Sequence, residues 1–319
     1  MGVADSAVGA VVVRRRDPLL RRNQLVAWAF LSPWALGFVV FVLGPMLLSL
    51  VVSFTDYPIL HPSQTRFVGL GNYSTAMHDH VLAHSLAVTL LFTVIAVPAD
   101  LVVGLVLALI MNMRARGVSV FRTIFFLPIM ISGTGGASVA VALLWAFVFQ
   151  PRFGLLNAVL RFVHLPPQLW VASTAEVVPS LALMSLWGVG RSMLVYLAGL
   201  QGLPREVLLA AEVDGASSWR RFWQIVLPLL TPMVLFNLVL DLIGALQTFT
   251  QAYVITQGGP QNASLFYLIY LYQNAFTYLK MGYASALAWI LFALTLALTL
   301  VIFRSARRWV FYAAAPPEQ

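Results

Sequence analysis

The stretch LPREVLLAAEVDGASSWRRFWQIVLP, residues 203–228, is the one long amphipathic, charge-bearing segment lying between apolar runs late in this chain. Pro204 suits the first position of a short helix, because its missing N–H would be unpaired there anyway and its φ is already helical. Leu208, Ala210 and Ala211 give that helix a small apolar face. Asp214 and Gly215 end it, since glycine takes a left-handed C-terminal conformation without a Cβ penalty. Ser217 or Ser218 then caps a second helix by accepting backbone N–H bonds. The reading is helix, tight turn, helix. The second helix carries Arg220 and Arg221 and turns wholly apolar after Ile225. It therefore runs on into a membrane span, with Pro228 and Pro232 tolerated near its start or kinking it.

The rest of the chain agrees with a membrane setting. Hydrophobic residues make up 61% of the 319, charged residues only 9%, and mean hydropathy is +0.88. No soluble globular domain of this length has that composition. There is no cysteine, which excludes disulfides, thiolate nucleophiles and cysteine metal sites. A formal net charge of +8 would suit nucleic acid, but the arginines cluster at the ends of apolar runs, which is the signature of membrane orientation.

Six spans follow from the apolar runs: about 25–54, 85–111, 123–149, 177–200, 225–249 and 282–303. The first is too long for a signal-peptide core of roughly 7–15 residues. Residues 1–24 read as a cytoplasmic tail, 25–304 as the transmembrane domain and 305–319 as a second tail. In the third span, SGTGGAS at 132–138 is small-residue rich, which lets neighbouring helix backbones approach closely. His61, His78, His80 and His84 crowd the first outer loop, but their spacing follows no ligand pattern and the reading is a solvated loop without a metal. The aromatic stretch from Leu265 to Tyr278 either sits at the lipid headgroups or lines a solute path.

Counting basic residues orients the chain. With the N-terminus inside, the cytoplasmic side holds fourteen: Arg14, Arg15, Arg16, Arg21, Arg22, Arg114, Arg116, Arg122, Arg205, Arg220, Arg221, Arg304, Arg307 and Arg308. The outer side holds four, Arg66, Arg152, Arg161 and Lys280. Both termini and segment 203–228 are therefore expected in the cytoplasm of a multi-pass cell-membrane protein.

AAEVDGASSWRRFWQIVLP at 210–228 resembles the cytoplasmic EAA loop of membrane permease subunits of ATP-binding-cassette importers, with Ala210, Ala211, Gly215, Ile225, Leu227 and Pro228 in register. TQGGPQNASLFYLIYLYQNAF at 256–276, MGYASALAWILF at 281–292 and VGLGNY at 68–73 are similar to the carbohydrate-uptake branch, the maltose, lactose and glycerol-phosphate type permeases. The resemblance implies an all-α, six-helix type I importer permease that is not itself an enzyme. It also implies a heterodimer with a second permease, a pair of ATPase subunits and an external solute-binding protein delivering a sugar. No GxxxxGK[ST] phosphate loop occurs, so no cofactor belongs to this chain and ATP and Mg are expected on the partner ATPase. The family's glutamate position is occupied by Leu209; either Glu206 or Glu212, three residues to each side, replaces its carboxylate, or Leu209 acts alone as a hydrophobic knob. The ATPase-coupling set is thus Glu206, Leu209, Ala210, Ala211, Glu212, Asp214 and Gly215.

Three charges, Asp100, Arg191 and Asp241, fall inside spans, where a charge costs about 2.5–3.5 kcal/mol and so faces a cavity or a partner. Counted without gaps from the loop motif, the sugar-contact positions of the maltose permease fall on Met184, Gly188, Arg191, Asp241, Ala245 and Thr248. The functional reading is a midplane solute site in which Arg191 donates to and Asp241 accepts from hydroxyls, with Gln247 nearby and Phe249 or Tyr253 as a stacking face. The structural reading is an Arg191–Asp241 ion pair locking two helices. Asp100 matches no contact position. Glycerol-phosphate or another polar solute is the alternative cargo, and a proton-coupled secondary transporter using Asp100 and Asp241 is the rival from another class.

Overall fold

The computed structural model describes the backbone of residues 18–113, 117–132 and 139–311, and the side chains of all of these except 18–25, 129, 131 and 132. Most of the small-residue stretch at 132–138, Arg14 to Arg16, Arg114 and Arg116, and the last eight residues lie outside the described residues. The chain divides into two units, residues 1–52 and 53–319.

The first unit is one apolar rod. Helix α1 (Pro18–Phe38) continues through a π-helical turn, Val39–Leu43, into α2 (Gly44–Ser53). Its helix begins at Pro18, inside the stretch expected as tail, because a proline is at home in a helix's first turn. Val26–Ser53 is long and apolar enough to cross a membrane. Ser32 Oγ donates to the Ala29 carbonyl at 2.9 Å, so its hydroxyl is satisfied within the helix.

The second unit opens with a two-strand clasp, β1 (Thr55–Asp56) antiparallel to β2 (Arg66–Phe67), and the short helix α3 (Gly71–Met77). VGLGNY is the clasp's fastening: Gly69 takes a φ of +54°, and Asn72 Nδ2 donates to the carbonyls of Ser53 and Thr55, both at 2.9 Å. Helix α4 (His80–Met111) follows, capped by Asp79, whose Oδ1 accepts from the amides of Val81 and Leu82. The expected third span appears as α5 (Val118–Ser132) and α6 (Val139–Val148), either side of 133–138.

Segment 150–176, read from sequence as a mixed loop, is built around α7 (Leu155–Phe162) and Asn157. That fully buried side chain donates to the carbonyls of Pro151 and Gln168 and accepts from Gln168 N and Trp170 Nε1, so all its polar capacity is used. The fourth span is a broken helix. Helix α8 (Val177–Ser185) ends in a 3₁₀ turn at Leu186–Gly188, and α9 (Gly190–Gln201) restarts at an angle of 49°.

Segment 203–228 folds as the helix, turn, helix expected of it. Helix α10 (Arg205–Val213) is followed by Gly215 at φ +75°, and Ser217 rather than Ser218 caps α11 (Ser218–Arg221). Pro204 sits one position earlier than expected, with ψ of 116°. A π-helical turn, Phe222–Val226, leads into α12 (Leu227–Leu246), then come α13 (Thr250–Thr256), α14 (Tyr267–Tyr272) with a π-helical turn at Gln273–Thr277, and α15 (Met281–Trp309).

Helix α4 is the central post, packing against α9, α12 and α8. Small residues allow it. A Cβ on Gly104 would come within 2.9 Å of Ser192 Cβ on α9, and one on Gly199 within 2.9 Å of Leu230 and Met233 on α12. Close backbone approach of this kind is how helices pack in lipid, where the hydrophobic effect contributes nothing between them.

Candidate functional site

The broken fourth span and α12 stand either side of the α10–α11 segment in sequence, and they meet at a polar cluster. Arg191 lies in the first turn of α9, just past the break. Its Nη2 donates to Asp241 Oδ1 on α12 at 2.5 Å. The two ends of this pair differ: the Arg191 side chain is 46% exposed and the Asp241 side chain 7%. Asp241 Oδ2 is buried and has no hydrogen-bond donor among the described residues.

Asp100, for which the sequence offered no partner, joins the same cluster from α4. Ser192 Oγ donates to Asp100 Oδ2, and the Asp100 carboxyl lies within hydrogen-bonding reach of the Asp241 carboxyl and in the field of Arg191. Asn237 Nδ2 on α12 donates to the Ser192 carbonyl at 3.3 Å, fixing the backbone beside it. All three intramembrane charges therefore sit together. The signal was present in the sequence only as Gly104, one helical turn beyond Asp100, whose missing Cβ lets α4 reach Ser192.

The other expected site residues separate into two groups. Gly188 forms the end of the 3₁₀ turn at the break, and Gln247 is exposed at the end of α12. Thr248 is buried, its hydroxyl reaching the Gly244 carbonyl at 3.4 Å, and Gly244 itself has no atom within 4 Å of where a Cβ would be. Met184 and Ala245 lie in packed apolar clusters, Met184 with Val141, Ala142 and Phe149, and Ala245 with Val178, Leu181 and Phe266. Phe249 and Tyr253 stack on each other at 5.1 Å and 13°, with Tyr272 against both. Trp187, four residues before Arg191, is part-exposed and meets Trp145 edge-on at 6.0 Å.

In the α10–α11 segment, Leu209 is 61% exposed and Ala211 is buried. Trp219 and Val213 are also exposed. Glu212 Oε2 accepts from Arg221 Nη1 at 3.2 Å, bracing α10 against α11 across the turn. Glu206, in the first turn of α10, has no such ion pair among the described residues.

At the N-terminal end of α4, Asp79 does more than cap. Its Oδ2 accepts hydrogen bonds from Tyr270 and Tyr283, each at 2.6 Å, tying α4 to α14 and α15. Burial works against its charge, but these hydroxyls and the amides of Leu82 and Val81 outweigh it and hold the carboxyl below its ordinary range. Of the four outer-loop histidines, His78 Nδ1 lies 2.9 Å from the Ser74 carbonyl and His84 Nε2 lies 3.0 Å from that of Asn262.

Residues 100–310 match the family described as "Binding-protein-dependent transport system inner membrane component". The chain is 41% identical over 302 residues to the probable ABC transporter permease protein YesP of Bacillus subtilis, covering 93% of this chain and 96% of that one. It is 33% identical to the sulfoquinovosyl glycerol transport system permease of Agrobacterium fabrum, covering 89% and 91%, and 31% identical to the multiple sugar-binding transport system permease of Streptococcus mutans, covering 85% and 91%. In structure it is similar, at TM-score 0.78 and 20% identity over 92% of this chain and 98% of the other, to a chain of a bacterial alginate ABC transporter solved with an alginate pentasaccharide-bound periplasmic protein. A fold of several apolar helices around one post, a helix–turn–helix between the fourth and fifth spans, and matches of this extent together mean that the chain belongs to the binding-protein-dependent transport system inner membrane components, as a non-enzymatic permease of the carbohydrate ABC importer type.

Proposed function

We propose that this chain forms half of the translocation path of an ATP-driven importer and carries a sugar or similar polyhydroxy solute into the cytoplasm, with both of its termini on the cytoplasmic side. The observation that carries the reading is the Arg191–Asp241 pair, half-exposed on its arginine side, on the two spans that flank the coupling segment. Arg191 is 46% exposed and keeps N–H donors beyond the one given to Asp241, which suits hydroxyl groups. Trp187 and the Phe249–Tyr253–Tyr272 cluster supply aromatic faces of the kind that sugar rings stack on.

The motor belongs to partners. ATP and Mg are held by a pair of ATPase subunits, which grip the α10–α11 segment of this chain and of a second, homologous permease. Their closure rocks the two helical bundles and turns the solute site outward, where a solute-binding protein loads it. This is alternating access by rigid-body motion. The test is uptake into proteoliposomes containing both permeases, the ATPase pair and the binding protein. Uptake is expected to require ATP and to continue when an uncoupler collapses the proton gradient. Uptake that ignores ATP and stops with the uncoupler would sink the reading in favour of a proton-coupled carrier using the Asp100–Asp241 pair.

A second measurement addresses the coupling contact. Leu209 occupies the site of the family's glutamate and Glu212 is engaged with Arg221, so of the two glutamates beside it Glu206 is the one without an ion pair among the described residues. Glu206→Ala is expected to lower uptake and solute-stimulated ATP hydrolysis about tenfold, the effect of losing about 1.4 kcal/mol of a charge-assisted contact. Glu212→Ala loses only a surface ion pair, worth about 0–1 kcal/mol, and is expected to stay within about fivefold of wild type. Wild-type rates in both variants would leave Leu209 acting alone as a hydrophobic knob.

A further inference from the structure

The charge balance of the cluster says what kind of solute it accepts. Among the described residues, α4, α8, α9 and α12 bring two carboxyl groups, Asp100 and Asp241, and one guanidinium, Arg191, and no other Asp, Glu, Lys or Arg. Asp241 neutralises Arg191 at 2.5 Å. Asp100 is left with a hydroxyl, Ser192, which supplies a hydrogen bond and no charge. If a proton bridges the two acids, the cluster is neutral; if both are ionised, it carries one negative charge. In neither state is it positive. The part-exposed Arg191 therefore offers hydrogen bonds without an unspent charge. Where both acids are ionised a second anion meets uncompensated repulsion, and where a proton bridges them it meets no net attraction.

From this we infer that Asp100 is a specificity-determining residue which restricts the permease to neutral and amine-bearing saccharides and rejects saccharides carrying carboxylate or phosphate. The inference rests on the solute site proposed above and narrows its cargo. It removes the phosphorylated polyols that Arg191 alone would have admitted. It also gives the membrane cost of Asp100 a purpose: an isolated acid at this depth is expensive, and Ser192 supplies the hydrogen bond that stabilises it within the field of Arg191.

The test uses the assembled permease–ATPase complex in lipid nanodiscs, held in one state with a non-hydrolysable ATP analogue. Binding of three trisaccharides of equal length is measured: a neutral glucan, the corresponding aminoglucan with an amine in place of each C2 hydroxyl, and a uronate. The neutral and amino probes are expected to bind the wild type at least about tenfold more tightly than the uronate. Asp100→Asn, which keeps the shape and the Ser192 hydrogen bond, is expected to shift the amino-to-uronate affinity ratio about tenfold toward the uronate, the equivalent of about 1.4 kcal/mol. Asp100→Glu, which keeps the charge, is expected to restore the wild-type ratio, and this separates a charge effect from a packing effect. Equal wild-type affinity for the neutral and uronate probes, or a ratio unmoved in Asp100→Asn, would overturn the inference while leaving the site standing. Binding of none of the three probes would instead overturn the solute-site reading on which it depends.

Discussion

Asp241→Ala is expected to reduce uptake about thirtyfold in the assembled transporter, with the complex still forming. Truncating one partner of a buried charge pair costs about 2–5 kcal/mol, most of it the penalty for the charge left behind. Arg191 is 46% exposed, so the lower end applies, and about 2 kcal/mol corresponds to about thirtyfold. The single variant does not by itself distinguish a solute site from a lock between α9 and α12. The double variant Arg191→Met with Asp241→Leu does. Replacing a buried ion pair by apolar side chains of similar volume is often neutral or stabilising. If the pair is only a lock, the double variant recovers both thermal stability and uptake. If the pair serves the solute, stability recovers and uptake stays low. Recovery of uptake in the double variant is the result that would end the site reading.

How much of this could be seen in the sequence depends on how local each interaction is. The coupling segment was legible because its signals are short-range: Gly215 takes the left-handed turn and Ser217 caps the next helix within three residues of it. The first, second, fourth, fifth and sixth spans were legible for the same reason, since an apolar run declares itself without reference to anything else. Their ends were less so. Helix α15 continues to Trp309, past the expected 303, because Arg307 and Arg308 in its last turn complement the helix dipole instead of stopping it.

Long-range pairings were invisible. Asp100 and Ser192 are 92 residues apart, and Asp79 reaches Tyr270 and Tyr283 over 191 and 204. Asn157 organises what read as loop because its four hydrogen bonds run to backbone and indole groups up to thirteen residues away. The break in the fourth span did leave a trace, the pair Gly188 and Gly190 around Val189, which lowers the cost of interrupting a helix there. The expected solute contacts Met184, Gly188, Ala245 and Thr248 were placed by register alone, and register does not say which face of a helix a neighbour covers: Met184, Ala245 and Thr248 are buried, while Gln247 is exposed.

The largest effect on stability is expected from Gly282→Val at the start of α15. A Cβ at Gly282 would overlap the Thr55 carbonyl oxygen and come within 3.2 Å of Tyr57 N. That carbonyl has little freedom to withdraw: Asn72 Nδ2 holds it at 2.9 Å, Thr55 is registered against Phe67, and Pro58 bridges Lys280 on the other side. The strain must therefore move α15, and with it Tyr283, which holds Asp79 and the N-terminal end of α4. Overpacking of this kind costs about 1–3 kcal/mol, and with Val the upper end applies. A lowering of the melting temperature by about 6–12 °C is expected for the purified complex, scaling from about 2–4 °C per kcal/mol for domains of 150–250 residues. Gly244→Ala is the stability control. Nothing lies within 4 Å of its Cβ position, and it stands inside α12, so alanine is expected to hold or raise the melting temperature through helix propensity alone. A Gly282→Val complex as stable as wild type would mean that the clasp of 53–73 does not bear on α15, and that the N-terminal ends of α4 and α15 are held by the Asp79 hydrogen bonds alone.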